Sequence, residues 1–194
     1  GRGKLGRVKV AVLVEGRSDR AALDALASRR GLDLEAAEVE IVVMGGAHAI
    51  GRFVQQFGPA GEDVRLAGLC DAGEERHFRR GLERGGLGVD LDRAGLEALG
   101  FFVCEADLED ELIRALGHDA MIELIGAAGE LDSFRTLQKQ PVQRTWPIDR
   151  QLHRFLRSKS GRNTRYGRLI VEALDLSAMP RPLDALLDHV WAVR

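Results

Sequence analysis

The sequence predicts an α/β fold, a parallel four-stranded sheet with helices on both faces, followed by a C-terminal helical extension. Two observations carry that expectation. Short β-branched apolar runs alternate with helically spaced segments up to about residue 117, and beyond His118 only helical patterns follow. Parallel strands need crossover connections, and the crossover helices cover both faces of the sheet.

Residues 8–14 form the first apolar run, which turns at Glu15-Gly16-Arg17-Ser18. Residues 19–30 place Ala22, Leu23, Leu26 and Ala27 at helical spacing and stop at Gly31, with Arg29 and Arg30 where cations favour the helix dipole. Residues 39–44 read as a second strand, Gly45-Gly46 as its loop and residues 48–57 as a helix. Residues 64–70 read as a third strand, opening at Asp71-Ala72-Gly73 into a charged helix over 74–83. A Gly-rich connection leads to a fourth strand at 101–104 and a helix over 107–116. The helical patterns of the remainder break near Pro141, Pro147 and Pro180. The expected division is therefore an α/β unit over 1–117 and a helical extension with a basic tail over 118–194.

With 194 residues, 45% hydrophobic and 30% charged, the chain can bury a full core, which excludes disorder over most of its length. No run approaches the roughly 18 apolar residues that cross a bilayer, and Gly1-Arg2-Gly3-Lys4 lacks a signal-peptide core. A cytoplasmic protein with no membrane partner is expected. Cys70 and Cys104 have no second pair, so neither a zinc ribbon nor a disulfide framework is available, and both read as buried thiols. The net charge of -2 hides an asymmetry: residues 1–140 are net acidic, whereas residues 144–168 hold eight Lys or Arg and one acid, Asp149. That density suits either a polyanion such as nucleic acid or a solvated helical face.

In an open parallel sheet, chemistry gathers at the carboxyl ends of the strands. Here those ends deliver acids: Glu15 and Asp19 after strand one, Asp71, Glu74 and Glu75 after strand three, and Glu105, Asp107, Glu109, Asp110 and Glu111 after strand four. Carboxylates brought together raise one another's pKa, and a divalent cation relieves the repulsion. All-oxygen ligands select Mg2+, Mn2+ or Ca2+, and no histidine or cysteine is expected to compete for these positions. Singly, Asp19, Asp71 and Asp107 also read as helix caps, whereas Glu15 does not. In a helix begun at Asp107, that residue shares a face with Asp110 and Glu111, and Glu109 points elsewhere unless the helix begins later. The turn Gly45-Gly46-Ala47-His48-Ala49-Ile50-Gly51 matches neither a P-loop nor GxGxxG, so no ATP site is expected, and His48 reads as a phosphate contact or a structural loop residue. No nucleophile elbow is present.

Val14-Glu15-Gly16-Arg17-Ser18-Asp19, Gly68-Leu69-Cys70-Asp71-Ala72-Gly73-Glu74-Glu75, Asp107-Leu108-Glu109-Asp110-Glu111-Leu112 and the basic tail with Ser160-Gly161-Arg162 resemble the Toprim domain of OLD-family (overcoming lysogenization defect) nucleases. The resemblance implies a Toprim-like, Rossmann-like sheet and an Mg2+-dependent endonuclease that hydrolyses phosphodiester bonds of DNA, more than of RNA. The implied metal residues are Glu15, Asp19, Asp71, Asp107 and Glu109. Toprim domains carry Asp-x-Asp after the third strand, but Gly73 holds the second position here, which leaves Glu74 as the substitute. Glu15 and Lys159 are the implied catalytic residues, although another alignment sets the family lysine at Asn163. Arg157, Lys159, Arg162, Arg165 and Arg168 would contact nucleic acid, and a separate ATPase domain or subunit is an expected partner. A degenerate, non-catalytic binding module is the alternative that Gly73 permits. Strand passage would need a nucleophilic tyrosine, and Tyr166 reads as a packing or stacking residue.

Overall fold

The computed structural model describes residues 8–194, so the signal-peptide reading of Gly1-Arg2-Gly3-Lys4 lies outside the described residues. The strands are β1 (Val10–Val14), β2 (Val39–Val43), β3 (Arg65–Asp71) and β4 (Phe101–Cys104). All pairs are parallel, in the order β2-β1-β3-β4. Every residue of β1 is buried, because a central parallel strand is covered on both faces and must be apolar throughout.

The helices follow the strands. α1 (Arg17–Arg29) joins β1 to β2, α2 (Ile50–Phe57) follows a 3-10 turn after β2, and α3 (Glu75–Arg84) follows another after β3. α4 (Arg93–Ala98) precedes β4, and α5 (Leu108–Leu116) leaves it. Side chains alternate across the pleat and divide the core in two. Val10, Val12, Val14, Ala67, Leu69 and Phe102 face α1, while Ala11, Leu13, Cys70, Phe101 and Val103 face α2, α3 and α4. The helices after β1 and β3 therefore lie on opposite faces, and a crevice opens between those two strand ends.

Some elements differ from the expected boundaries for local reasons. α1 begins at Arg17, because extended Gly16 (φ -138°, ψ 175°) is its N-cap and donates its N–H to Asp19 Oδ2 at 2.9 Å. The six residues of α4 were hidden in the Gly-rich connection. They are too short to show periodicity and are held by the Asp92 side chain, which accepts from the Gly95 N–H at 2.7 Å.

Beyond Gly117 come α6 (His118–Ala127), α7 (Leu131–Lys139), α8 (Ile148–Arg157), α9 (Arg162–Ala173) and α10 (Arg181–Val193). α9 runs against α1 and α10 against β3 and β4, so one apolar cluster is continuous from β1 to Val190. Arg29 fastens the end of α1 to this layer by donating to the carbonyls of Val171 and Leu174. Tyr166 is fully buried, edge-on to Phe155, as a packing residue. Cys70 and Cys104 are buried free thiols, and burial pushes both pKa values up. Among the described residues, no helix is long and apolar enough to cross a membrane.

Candidate metal centre

The crevice collects acids because β1 and β3 end side by side. Glu15 is the first residue after β1 and Asp71 the last of β3. Asp19 sits in the first turn of α1, its Oδ2 held by the Gly16 amide. Glu109 reaches the same place from α5. It is only 7% exposed, and its Oε1 accepts from Ser18 Oγ of α1 at 3.3 Å and Asn163 Nδ2 of α9 at 3.4 Å. The later helix start, the condition under which Glu109 does not point elsewhere, is the one observed. Asp107 is the N-cap rather than the first helical residue, its Oδ1 accepting from the Asp110 N–H at 2.8 Å. α5 thus begins one residue later, which turns Glu109 inward and sends Asp110 and Glu111 out to Arg114.

The electrostatics identify these acids as one group. Burial pushes the Asp71 carboxyl up to about 8, and the charges of Glu15, Asp19, Asp107 and Glu109 add to the shift. Burial pushes Asp19 to about 7 against the opposing Gly16 amide, with Glu109, Glu15 and Asp107 reinforcing it. Glu15 is raised by burial, then by Glu74 and Glu109, while the Asp71 backbone and Arg157 oppose. Glu15 Oε1 is buried without a hydrogen-bond partner among the described residues. A buried orphan oxygen beside other acids of raised pKa is the electrostatic deficit that a divalent cation fills, and the donors are hard oxygens.

Other acids at this edge are satisfied by arginine. Buried Glu75 accepts from Arg93 Nη2 at 2.6 Å and from Arg79, and Arg93 hydrogen bonding, outweighing burial with help from Arg79, holds its pKa down. Glu105 takes the other branch of Arg93 at 2.8 Å. Asp107 is intermediate. Burial would raise it, but His153, the Asp110 amide and Arg157 together hold it below the usual aspartate range. Its Oδ2 contacts His153 Nε2 at 2.6 Å and Arg157 Nη1 at 3.3 Å. The bond to Asp107 raises the His153 pKa against burial.

The basic tail divides. Arg157 stands at the carboxylates through Asp107, and Asn163 through Glu109. Lys159 is exposed and lines a separate cavity with Ser133, Gln140, Arg154 and Ser158. Arg162, expected on nucleic acid, is buried instead. It donates to Glu130 Oε2 at 2.7 Å, to the Phe155 carbonyl at 3.1 Å and to Ser158 Oγ at 2.7 Å, and so is consumed in joining α8 and α9 to the α6–α7 turn. Arg165 also meets Glu130, at 3.2 Å, while Arg168 pairs with Glu172 on the exposed face of α9. Gly167 explains how α9 approaches. A Cβ there would lie 3.0 Å from the Ser18 carbonyl, so the glycine lets α9 press on α1 and bring Asn163, one turn earlier, to Glu109. His153 and Ser18 went unnoticed in the sequence. The only signal for His153 was its i, i+4 spacing to Arg157 within the basic run.

Comparison with known proteins bears on the fold. Residues 8–71 match the family model described as "Overcoming lysogenization defect protein-like, TOPRIM domain". That stretch, the first third of the chain, is similar to an OLD-like Toprim domain. Two solved structures share the fold over nearly all of the chain. The C-terminal region of the Burkholderia pseudomallei OLD protein superposes with TM-score 0.73 at 18% identity, covering 96% of this chain and 99% of that one. The C-terminal region of the Xanthomonas campestris pv. campestris OLD protein, phased with platinum, gives 0.75 at 22%, covering 95% and 94%. No curated protein sequence matches the chain. The four-stranded sheet and its helical extension thus share the fold of those two C-terminal regions.

At Gly73, where the resemblance leads one to expect a second aspartate, the backbone offers no ligand side chain. The residue is exposed, with no atom within 4 Å of where a Cβ would stand. Glu74, next in sequence, faces two histidines, His48 and His77. The expectation that no histidine would approach the acid positions is therefore corrected. The loops after β2 and β3 are far apart in sequence and adjacent across β1.

Proposed function

We propose that this OLD-like Toprim chain is a divalent-metal-dependent endonuclease that hydrolyses phosphodiester bonds, with DNA the favoured substrate over RNA. One observation carries the reading: Glu15, Asp19, Asp71 and Glu109 act on one another electrostatically, none of them forms an ion pair among the described residues, and Glu15 Oε1 is buried there without a hydrogen-bond partner. Mg2+, or Mn2+ or Ca2+ in its place, would be held by Glu15, Asp71 and Asp19, with Glu109 completing the oxygen shell. Such an ion supplies an activated water and charge stabilisation on the leaving oxygen. Asp107 acts as an orienting group, because both of its oxygens are already committed. It holds His153 and Arg157 at the rim, where Arg157 would grip a backbone phosphate and protonated His153 would serve as the proton donor to the leaving oxygen. Lys159, Arg165 and Arg168 are exposed or partly exposed and would contact the backbone farther out. A separate ATPase domain or subunit would be a partner outside this Toprim unit.

The test is nicking of supercoiled plasmid with Mg2+ or Mn2+, repeated with Glu15→Gln after circular dichroism confirms its fold. Loss of nicking is expected, and undiminished nicking would overturn the assignment. Gly73 favours a second reading, a nucleic-acid-binding module without turnover. That reading predicts salt-dependent binding that is indifferent to Glu15→Gln.

A further inference from the structure

We propose that His48, Glu74 and His77 form a second cation site, specific for a borderline transition ion such as Zn2+ and distinct from the all-oxygen carboxylate centre. One ligand atom from each residue falls in a group whose members all lie within 4.8 Å of one another. His77 Nε2 and Glu74 Oε2 are 3.6 Å apart, too long for a hydrogen bond. An ion with bonds of about 2.1 Å in tetrahedral geometry sets its ligands roughly 3.4 Å apart, so His77 and Glu74 are already at coordination spacing. His48 is exposed and free to close the remaining gap, on the order of 1 Å, by side-chain rotation.

The fold builds this proximity. His48 lies in the 3-10 turn after β2, and Glu74 ends the one after β3. His77 is in the first turn of α3, and the helix face it starts continues through Gly81 and Gly85 at four-residue intervals. A Cβ on Gly81 would stand 2.8 Å from Ile50 Cγ2, and one on Gly85 would stand 2.3 Å from Val54 Cγ1. Two glycines therefore let α3 lie close along α2, and the next position on that line brings His77 against His48, with ring centroids 4.2 Å apart.

Two imidazoles and one carboxylate select Zn2+ or its neighbours over Mg2+, and three protein ligands leave a coordination position open to solvent. Glu74 also acts electrostatically on Glu15, so the two centres adjoin. Where the resemblance leads one to expect a second aspartate, this chain has Gly73 and, one residue on, a carboxylate joined by two nitrogen donors. The inference goes beyond the nuclease reading and does not need it, since metal uptake is measured without substrate.

The experiment uses the full chain freed of metal by chelation. Zn2+ affinity is measured by competition with a chromophoric chelator, and Co2+ serves as the spectroscopic probe. Wild type is expected to bind Zn2+ and to give visible Co2+ d–d bands. His48→Asn and His77→Asn, whose folds are checked by circular dichroism, are each expected to lose Zn2+ affinity by at least about 100-fold, since even outer-shell changes cost 10–100-fold. Asp71→Asn should shift it by less than about threefold. Absence of Zn2+ binding by wild type, wild-type affinity in folded histidine variants, or an equal loss in Asp71→Asn would each overturn the proposal, the last by placing the ion among the carboxylates.

Discussion

Two groups of acids lie side by side at the carboxyl edge of the sheet and differ chiefly in whether arginine reaches them. Glu75 and Glu105 share Arg93, Glu75 has Arg79 besides, and the Glu75 pKa is held down. Asp19 and Asp71, across the end of β3, have no such partner among the described residues and are pushed up to about 7 and 8. The same residue types at one edge thus serve opposite ends. A paired buried acid ties α3 to the segment before β4. Unpaired acids cost stability unless a cation binds, the pattern on which the proposed metal site rests.

Asp71→Asn should give the largest effect, a loss of Mg2+-dependent cleavage on the order of 10³-fold, because a ligand worth several kcal/mol of charge stabilisation is removed. Arg157→Ala should cost roughly 10–100-fold in cleavage by removing one charge-assisted phosphate contact. Lys159→Ala should cost less than about threefold at saturating DNA. Single-turnover plasmid assays decide all three, and a Lys159 effect matching that of Arg157 would shift the reaction centre toward the α7–α8 cavity.

Stability should cross over between the two groups. Glu75→Gln is expected to destabilise the protein by about 1–2 kcal/mol in urea denaturation, since it strands hydrogen-bonded arginine, and to leave metal uptake intact. Asp71→Asn should instead raise the melting temperature of the metal-free protein above pH 8. The sign follows from proton binding. Asp19 and Asp71 lose their protons near pH 3.8 when unfolded and only near 7 and 8 when folded. Between about pH 4 and 8 the folded state holds the extra protons, so metal-free stability falls as pH rises through that window and levels off above it. Added Mg2+ should remove most of this slope by taking the place of the protons. Calorimetric scans from pH 5 to 9, with and without Mg2+, check the sign, and a flat metal-free profile would break the contrast between paired and unpaired acids.

Much of this was legible in the amino acids. Strand and helix periodicity yielded the four strands in their places, because a parallel sheet demands uninterrupted apolar runs. The convergence of Glu15, Asp19 and Asp71 could be anticipated, since strand ends in such a sheet share one edge. Glu109 was harder. Its orientation depended on whether Asp107 capped α5 or opened it, a one-residue difference that rotates the helix by about 100°. The roles of individual arginines were harder still. Arg162 looks in sequence like its neighbours Arg157 and Arg165, yet it is sealed against Glu130 beneath Phe155 and Ser158.

The sequence by itself determined which elements form and which strand ends carry acids, because periodicity and turn residues act over a few positions. Only the tertiary structure decided which acids go unpaired, which cations reach them, and that His48 meets His77. Those outcomes depend on how closely α9 settles on α1 and α3 on α2. Glycines at single positions set these approaches, and their consequence appears only when helices distant in sequence are pressed together.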